Sequence, residues 1–408
     1  MKHEKRDVLF LCQFFYPEHV SSATLPFDTA QMLLEAGFTV DALVGYPKEY
    51  YKGDAIPLRQ CAKGVGIRRL RYLQLSRGSR GGRLLNFFSF TASVLLHLRT
   101  LKRYRSVIVY SNPPILPIAA ILAKKLWKTK IVFVAYDVYP EIAYASGSIR
   151  PGSLIDRCMK FINRRLYRSS DRVVALTDEM RAFLCSARAG LTAERVAVIP
   201  NWAHEKTTLP DAQTRKTFGF ASDQFVIAYF GNMGICQDMQ TILDAAIALN
   251  GDERFSFLFV GHGNKTERLR EEAARLQLRQ VKIYDFLEAT AFEKAVASAD
   301  CFVLSLEKGL KGTCAPSKYY SYLQGGRPIA AVVERDSYLA KEITEERIGA
   351  FVENGDSKAL CRFLRELAAD PEACAEMGEN ARRLYERSYT LRVAGAAYQT
   401  MMHEILNQ

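Results

Sequence analysis

Phe225-Val226-Ile227-Ala228-Tyr229-Phe230, running directly into Gly231-Asn232-Met233-Gly234, sets a pattern that the rest of the chain repeats. Six residues without polar alternation read as a strand buried on both faces, as in a parallel sheet. The glycines that follow let the backbone turn sharply and approach a ligand closely. Phe255–Val260 followed by Gly261-His262-Gly263-Asn264 repeats it, and so does Cys301–Leu304 followed by the segment from Ser305 to Lys318. Val281–Tyr284 and Ile329–Val333 read as further strands. Gln240–Leu249, Glu267–Leu276, Phe292–Ala299 and Lys318–Gln324 have helical spacing between them, and helical patterns fill the tail over Lys358–Ala368, Pro371–Glu386 and Thr390–Leu406.

The first half alternates in the same way. Asp7–Phe14, Thr39–Val44, Ser106–Tyr110, Lys130–Ala135, Arg172–Leu176 and Val196–Ile199 read as strands, with helices over Phe27–Ala36 and Ile115–Leu126. Two successive runs of alternating strands and helices predict two doubly wound α/β domains. Pro200-Asn201-Trp202 and the polar stretch from His204 to Ala212 mark the boundary. The domains are therefore 1–203 and 204–386, with a helical tail over 387–408.

Lys311-Gly312-Thr313-Cys314-Ala315-Pro316-Ser317-Lys318 reads as a loop entering a helix that stops at Gly325-Gly326-Arg327-Pro328. Pro316 is tolerated at a helix start. Ser317 and Lys318 fall in the first turn, where unpaired amides and the positive dipole end attract anions. A lysine there is unfavourable for the dipole, and a bound diphosphate would compensate it.

Composition narrows the classes. The chain has 408 residues, 49% of them hydrophobic, enough for large cores. Its nine cysteines are scattered with no CxxC pair, which argues against a zinc site or disulfide framework and suits a reducing compartment. No secretory signal is evident at the N-terminus, and no run of about 18 apolar residues suggests a spanning helix. The net charge of +12 is concentrated. Between Asp54 and Asp137 there is no acidic residue and there are sixteen Lys/Arg. Here Arg68, Arg69, Arg71, Arg77, Arg80 and Arg83 precede the apolar run Leu84–Leu96, which carries Phe87 and Phe88, and Arg99 and Arg103 follow. An apolar element flanked by arginines predicts contact with an anionic membrane surface, through Arg68, Arg69, Arg71, Phe87, Phe88, Arg99 and Arg103. A core helix with solvated ends is the plainer alternative. Nucleic acid has no supporting motif.

In open parallel sheets ligands bind beyond the carboxyl ends of the strands. Gly231, Asn232, Gly234, Gly261, His262, Gly263, Pro316, Ser317 and Lys318 are thus candidates for one ligand site in the second domain. In the first domain the post-strand loops offer Glu18, His19, Ser21, Ser22 and Asn112, then Asp137 and Glu141 within Asp137-Val138-Tyr139-Pro140-Glu141. Ser21 or Ser22 would otherwise cap the next helix. Two carboxylates in one loop can orient a hydroxyl or take its proton; Asp137 as a cap and Glu141 as first-turn charge is the plainer reading. There is no G-x-G-x-x-G after a strand, no P-loop, no Asp-x-Asp, no H-E-x-x-H and no G-x-S-x-G.

With these residues in view the chain resembles the family 4 retaining glycosyltransferases, which have two Rossmann-like domains facing a cleft, the GT-B fold. The resemblance rests on Tyr16-Pro17-Glu18, Val198-Ile199-Pro200-Asn201, Tyr229–Gly234, Phe259–Gly263, Pro316-Ser317-Lys318, Gly326-Arg327-Pro328-Ile329, Gly349–Val352 and Asn354-Gly355-Asp356. It is similar to the branch that builds bacterial O-antigen, capsule and exopolysaccharide, whose Asp-x-Tyr-Pro-Glu and Gly-Asn-x-Gly-x-x-Gln motifs match Asp137–Glu141 and Gly231–Gln237. Two departures stand out. The family's Glu-x7-Glu falls on Thr313 and Ser321, with Glu307 as the nearby substitute. The family's basic residue after the glycine loop falls near Gln237, leaving Lys318 as the main cation.

The resemblance implies transfer of a sugar, with retention, from a UDP- or GDP-linked donor held by the second domain. The acceptor, a polyprenyl-diphosphate-linked glycan, would lie on the first domain, with Asp137, Glu141 and Lys318 as catalytic groups. It implies no metal and no other cofactor, a tail helix returning to the first domain, and a place on the cytoplasmic face of the plasma membrane. A nucleotide-sugar epimerase of the same architecture and a non-catalytic envelope scaffold are the alternatives.

Overall fold

The two-sided apolar runs become strands because hydrogen-bonded neighbours and covering helices take every backbone and side-chain surface they present. The computed structural model describes residues 5–47, 51, 53–75, 80–204, 212–285 and 287–407. Arg77 and most of the boundary stretch between His204 and Ala212 lie outside them. The chain divides into two compact units, one of Met1–Asn201 with Gly312–Ala315 and Leu391–Gln408, the other of Trp202–Lys311 with Pro316–Thr390.

The first unit is built on strands β1 (Arg6–Cys12), β2 (Val40–Gly45), β3 (Arg59–Ala62), β4 (Val65–Leu70), β5 (Tyr104–Tyr110), β6 (Lys130–Val134), β7 (Arg172–Ala175) and β8 (Val196–Val198). Their order in the sheet is β3-β4-β2-β1-β5-β6-β7-β8, parallel except for the β3–β4 hairpin. The chain winds outward from β1 through β2 and β4, then returns to place β5 on β1's other edge, so the topological switch lies between β1 and β5. Helices α1 (Ser21–Glu35), α2 (Arg80–Leu96), α3 (Pro117–Trp127), α4 (Glu141–Ala145), α5 (Leu154–Ser169) and α6 (Asp178–Ala187) connect them. Alternate strand residues, among them Leu9, Leu11, Val107, Val109, Ile131, Phe133 and Val173, form one core with Phe90 and Val94 of α2, Ala119, Ala120 and Ala123 of α3, and Leu166 and Tyr167 of α5. These three helices therefore cover the same face of the sheet.

Two expectations change here. Helix α1 starts at Ser21 itself with Val20 as its N-cap, so neither Ser21 nor Ser22 caps it. Arg69 is no surface cation. It is 2% exposed on β4, and its guanidinium donates to the carbonyls of Pro57 (3.0 Å) and Tyr16 (3.1 Å). It fastens the loop after β1, which removes it from any membrane face.

The second unit begins with α7 (Ala212–Thr217) and carries β9 (Phe225–Phe230), α8 (Met239–Ala248), β10 (Phe255–Val260), α9 (Thr266–Arg275), β11 (Val281–Tyr284), α10 (Ala289–Ala297), β12 (Cys301–Ser305), α11 (Lys318–Gly325), β13 (Ile329–Val332), α12 (Tyr338–Glu345), β14 (Gly349–Val352), α13 (Ser357–Ala369) and α14 (Pro371–Ser388). Its sheet runs β11-β10-β9-β12-β13-β14, all parallel, with the switch between β9 and β12. The last helix, α15 (Leu391–Asn407), belongs to the first unit, where Gln399 Nε2 donates to Met32 O of α1 at 2.9 Å.

Candidate active site

At the switch point of the second unit, three loops meet. The glycines there serve backbone crossing. Gly261 and Gly263 have φ of +148° and +156°. A Cβ on Gly261 would stand 2.0 Å from Gly231 O, and one on Gly263 would stand 2.3 Å from Met233 O. The two loops are stitched together by Gly231 N–H to Val260 O (2.8 Å), Met233 N–H to His262 O (2.9 Å) and Lys265 N–H to Met233 O (3.0 Å). Gly234 N–H is also taken, by Gln237 Oε1 at 3.0 Å. The Gly231 and Gly234 amides are thus both spent on the protein. The amides of Asn232 and His262 have no acceptor among the described residues, and both residues are exposed.

Helix α11 delivers Lys318 to this place. Tyr322, one turn on, stacks on Phe302 of β12 with ring centres 4.5 Å apart, and its hydroxyl accepts from Phe230 N–H at 2.8 Å. That contact locks the helix to the ends of β9 and β12. Gly325 follows because a side chain there would strike Phe302 at 2.7 Å, and Gly326 closes the helix at φ +61°. A Cβ on Gly231 would meet the Lys318 side chain at 3.6 Å (Cε) and 3.9 Å (Nζ). The ammonium donates to the Tyr229 hydroxyl and has no carboxylate partner among the described residues. Burial alone pulls it from its ordinary 10.5 to about 7.

A second cation here was missed by sequence reasoning. Lys265 Nζ donates to Gln237 O at 2.6 Å and pairs with Glu307 at 2.5 Å. It thus brings a positive charge beside Gln237, where the family's basic residue is wanting. Its position two residues beyond Gly263 was the available signal. Glu307, half-buried, is engaged by this lysine. Pro316 and Ser317 precede α11, Ser321 is exposed on it, and His262 is exposed in its loop. Thr313 belongs to the first unit. Its side chain is buried in the first unit, and its carbonyl accepts Val138 N–H at 2.8 Å.

In the first unit the neighbouring strands β1, β5 and β6 bring their carboxyl-end loops together. Asp137 N–H donates to Ser111 Oγ at 3.1 Å. Asn112 Oδ1 is buried with no donor among the described residues. The Asp137 carboxyl has no cationic partner among the described residues, and burial pushes it up from 3.8 to about 6. Glu141 is different. Arg188 grips it from both nitrogens, at 2.9 and 2.6 Å, and also donates to Tyr139 O at 3.1 Å. That clamp holds the loop which presents Asp137. Glu18 is buried, His19 and Ser21 are exposed, and Ser22 is half-buried.

Two family profiles match these units. The Glycosyl transferase 4-like domain matches residues 27–202, and the Glycosyl transferases group 1 domain matches residues 211–384. The chain belongs to the GT-B glycosyltransferases. This glycosyltransferase is 28% identical over 285 residues to a Pseudomonas aeruginosa protein named as a glycosyltransferase, WbjE, across 69% of this chain and 70% of that one. It is 24% identical over 321 residues to an Escherichia coli (strain K12) protein named as a colanic acid biosynthesis glycosyl transferase, WcaI, across 76% of this chain and 78% of that one. Its fold is similar to that of HepE from Anabaena in complex with UDP-glucose, with a TM-score of 0.70 at 16% identity, over 98% of this chain and 99% of that one. Among the described residues of the glycosyltransferase no helix is long and apolar enough to cross a membrane.

Proposed function

We propose that this enzyme moves a sugar from a nucleoside diphosphate sugar, UDP- or GDP-linked, to a polyprenyl-diphosphate-linked glycan during cell-surface polysaccharide synthesis, with retention of configuration. The observation that carries the reading is the Lys318 ammonium, without a carboxylate partner among the described residues and set beside Gly231 at the switch point of the second sheet. A half-buried cation of this kind, with the bare amides of Asn232 and His262 nearby, suits a diphosphate whose charge grows as the glycosidic bond breaks. Lys265 would add a second positive charge, and no metal is needed if these groups carry that load. HepE, similar in fold, was crystallised with UDP-glucose, and WcaI, a sequence relative, is named for colanic acid biosynthesis.

In this reading the departing phosphate oxygen takes the acceptor proton on the same face of the sugar. Asp137 orients the acceptor hydroxyl and Asn112 Oδ1 accepts a second one. The Arg188–Glu141 clamp keeps the loop in register.

The acceptor would be met at the cytoplasmic leaflet of the plasma membrane, and α2 supports that. Its Asn86, Phe90 and Val94 face the core, while Leu84, Leu85 and Phe88 (57% exposed) face outward. Phe87 and Arg68 are half-buried, and Arg71, Arg99 and Arg103 are exposed.

A thermal-shift panel with UDP, GDP and CDP tests the donor half. One nucleoside diphosphate should stabilise the wild type and fail to stabilise Lys318→Ala; no response to any of the three refutes the reading. Incubation with donor alone should release free sugar slowly and yield no epimer.

A further inference from the structure

We infer that helix α5 is a second membrane-docking element of the first unit, reading anionic lipid. The inference rests on the membrane-surface part of the proposed function and locates a surface that reading does not include. Residues Asp156, Met159, Ile162, Asn163, Leu166 and Tyr167 form the buried face of α5. The opposite face should be uniformly polar if it meets only water. It is not: Leu154 is 84% exposed and Phe161 55% exposed, with Ile155 and Cys158 also exposed. Leu154, Cys158 and Phe161 follow one another at helical spacing, so they form one outward stripe.

Cations border that stripe. Arg157, Lys160, Arg164, Arg165 and Arg168 are all exposed, and the only acid of the helix, Asp156, is 1% exposed. Lys160 is held by Asp156 at 3.0 Å, and Arg165 lies 3.6 Å over the Phe161 ring. Arg157, Arg164 and Arg168 have no carboxylate partner among the described residues. Cations alone would suit any polyanion. Exposed Leu154 and Phe161 among them favour a lipid surface, where the arginines meet headgroup phosphates and the apolar side chains enter the acyl boundary. Nucleic acid offers no such apolar layer.

The placement agrees. Helix α3 packs against both α2 and α5, and all three cover one face of the sheet. The exposed side chains of α5 therefore project from the same side of the unit as Leu85 and Phe88 of α2. Two helices fix an orientation on a plane, whereas one leaves the unit free to roll about its axis.

The test is vesicle flotation of the full chain on phosphatidylcholine, with and without phosphatidylglycerol. Wild type should float only with the anionic lipid. R157Q/R164Q/R168Q should bind about a hundred-fold more weakly, since each of the three cations near such a surface adds roughly a factor of five. F161D should also weaken binding, and R157K/R164K/R168K should retain it, which separates charge from fold. Circular dichroism and unchanged donor hydrolysis establish that the variants are folded. Full flotation of both the Gln triple variant and F161D, with Phe88→Asp alone releasing the protein, overturns the α5 assignment and leaves the α2 reading standing. No flotation of wild type overturns both. Loss of oligonucleotide binding by the triple variant, with flotation unchanged, reassigns α5 to nucleic acid.

Discussion

The Lys318 ammonium sits 3.7 Å from the centre of the Tyr229 ring and donates to the hydroxyl of the same side chain, which in turn donates to Asn232 O at 2.8 Å. The strand that ends in the glycine loop thus also supplies the seat for the cation from α11. Ring face and hydroxyl together hold a half-buried charge, and among the described residues no carboxylate pairs with it.

Donor binding should therefore weaken as pH rises. Lys318 titrates at about 7 instead of 10.5 in the folded protein. A diphosphate selects its protonated form, so kcat/KM for the donor should fall with rising pH, with a limb near 7. Lys318→Ala should lower kcat/KM by about 10²–10³-fold and abolish that limb. Tyr229→Phe should keep the limb and shift it, because the ring remains while the hydroxyl is lost. Steady-state kinetics against pH checks all three; a limb that survives in Lys318→Ala assigns it to another group. For stability the sign runs the other way. Burying the charged form costs the fold below pH 7, and that cost disappears as pH rises toward 10.5, so Lys318→Met should raise Tm at neutral pH.

Gly261→Ala should remove nucleotide binding without touching a nucleotide contact. The new Cβ would stand 2.0 Å from Gly231 O at a φ of +148°. Relief requires the two post-strand loops to separate, which costs about 1–3 kcal/mol and moves the Asn232 and His262 amides. Calorimetric titration with UDP and GDP should show no heat, while thermal melting remains cooperative. Gly251→Ala is the control: its φ is also positive, at +93°, and a Cβ there meets nothing within 4 Å.

What the sequence made legible follows from burial on two sides. Phe225–Phe230 and Phe255–Val260 coincide with β9 and β10, because strands covered on both faces leave unbroken apolar runs, whereas the edge strand β11, also matched at Val281–Tyr284, is half-buried along its length and carries Lys282. The β3–β4 hairpin was hidden by Arg68 and Arg69, which read as surface charge although Arg69 is spent inside on Tyr16 and Pro57. Helix α1 starts at Ser21, ahead of the predicted Phe27, and accommodates Pro26 within it. In the site, Lys318 and the glycine loops were readable from local spacing. Lys265 with Glu307, and Glu141 with Arg188, were not, since each pair joins residues more than forty positions apart and no local pattern records such a partnership.

Glu141 should behave as a positioning residue. Its carboxylate is saturated by Arg188, which also holds Tyr139 O. Glu141→Gln and Arg188→Met should each destabilise by about 1–3 kcal/mol and lower kcat with little change in donor KM. The double variant should be no worse than the worse single one, because both act through the same clamp. Additive loss in kcat would mean that Glu141 touches the acceptor by itself. Chemical denaturation and initial rates on the four proteins close the cycle.

Asp137→Asn should separate stability from catalysis. Burial raises the carboxyl from 3.8 to about 6, so the ionised form is the costly one. Below pH 3.8 both folded and unfolded chains carry the proton and the cost vanishes; above about 6 it is present in full. The Asn variant should therefore be more stable at pH 8, by up to about 3 kcal/mol, and equal to wild type near pH 4. Transfer should move oppositely. If the ionised carboxylate orients the acceptor hydroxyl, wild-type kcat/KM should fall with decreasing pH through a limb near 6, and Asp137→Asn should lose that limb together with most of its activity. A variant that gains stability at pH 8 and keeps its rate would show that the dehydrated carboxylate serves neither purpose; gain with loss is the signature of a group kept at the expense of the fold.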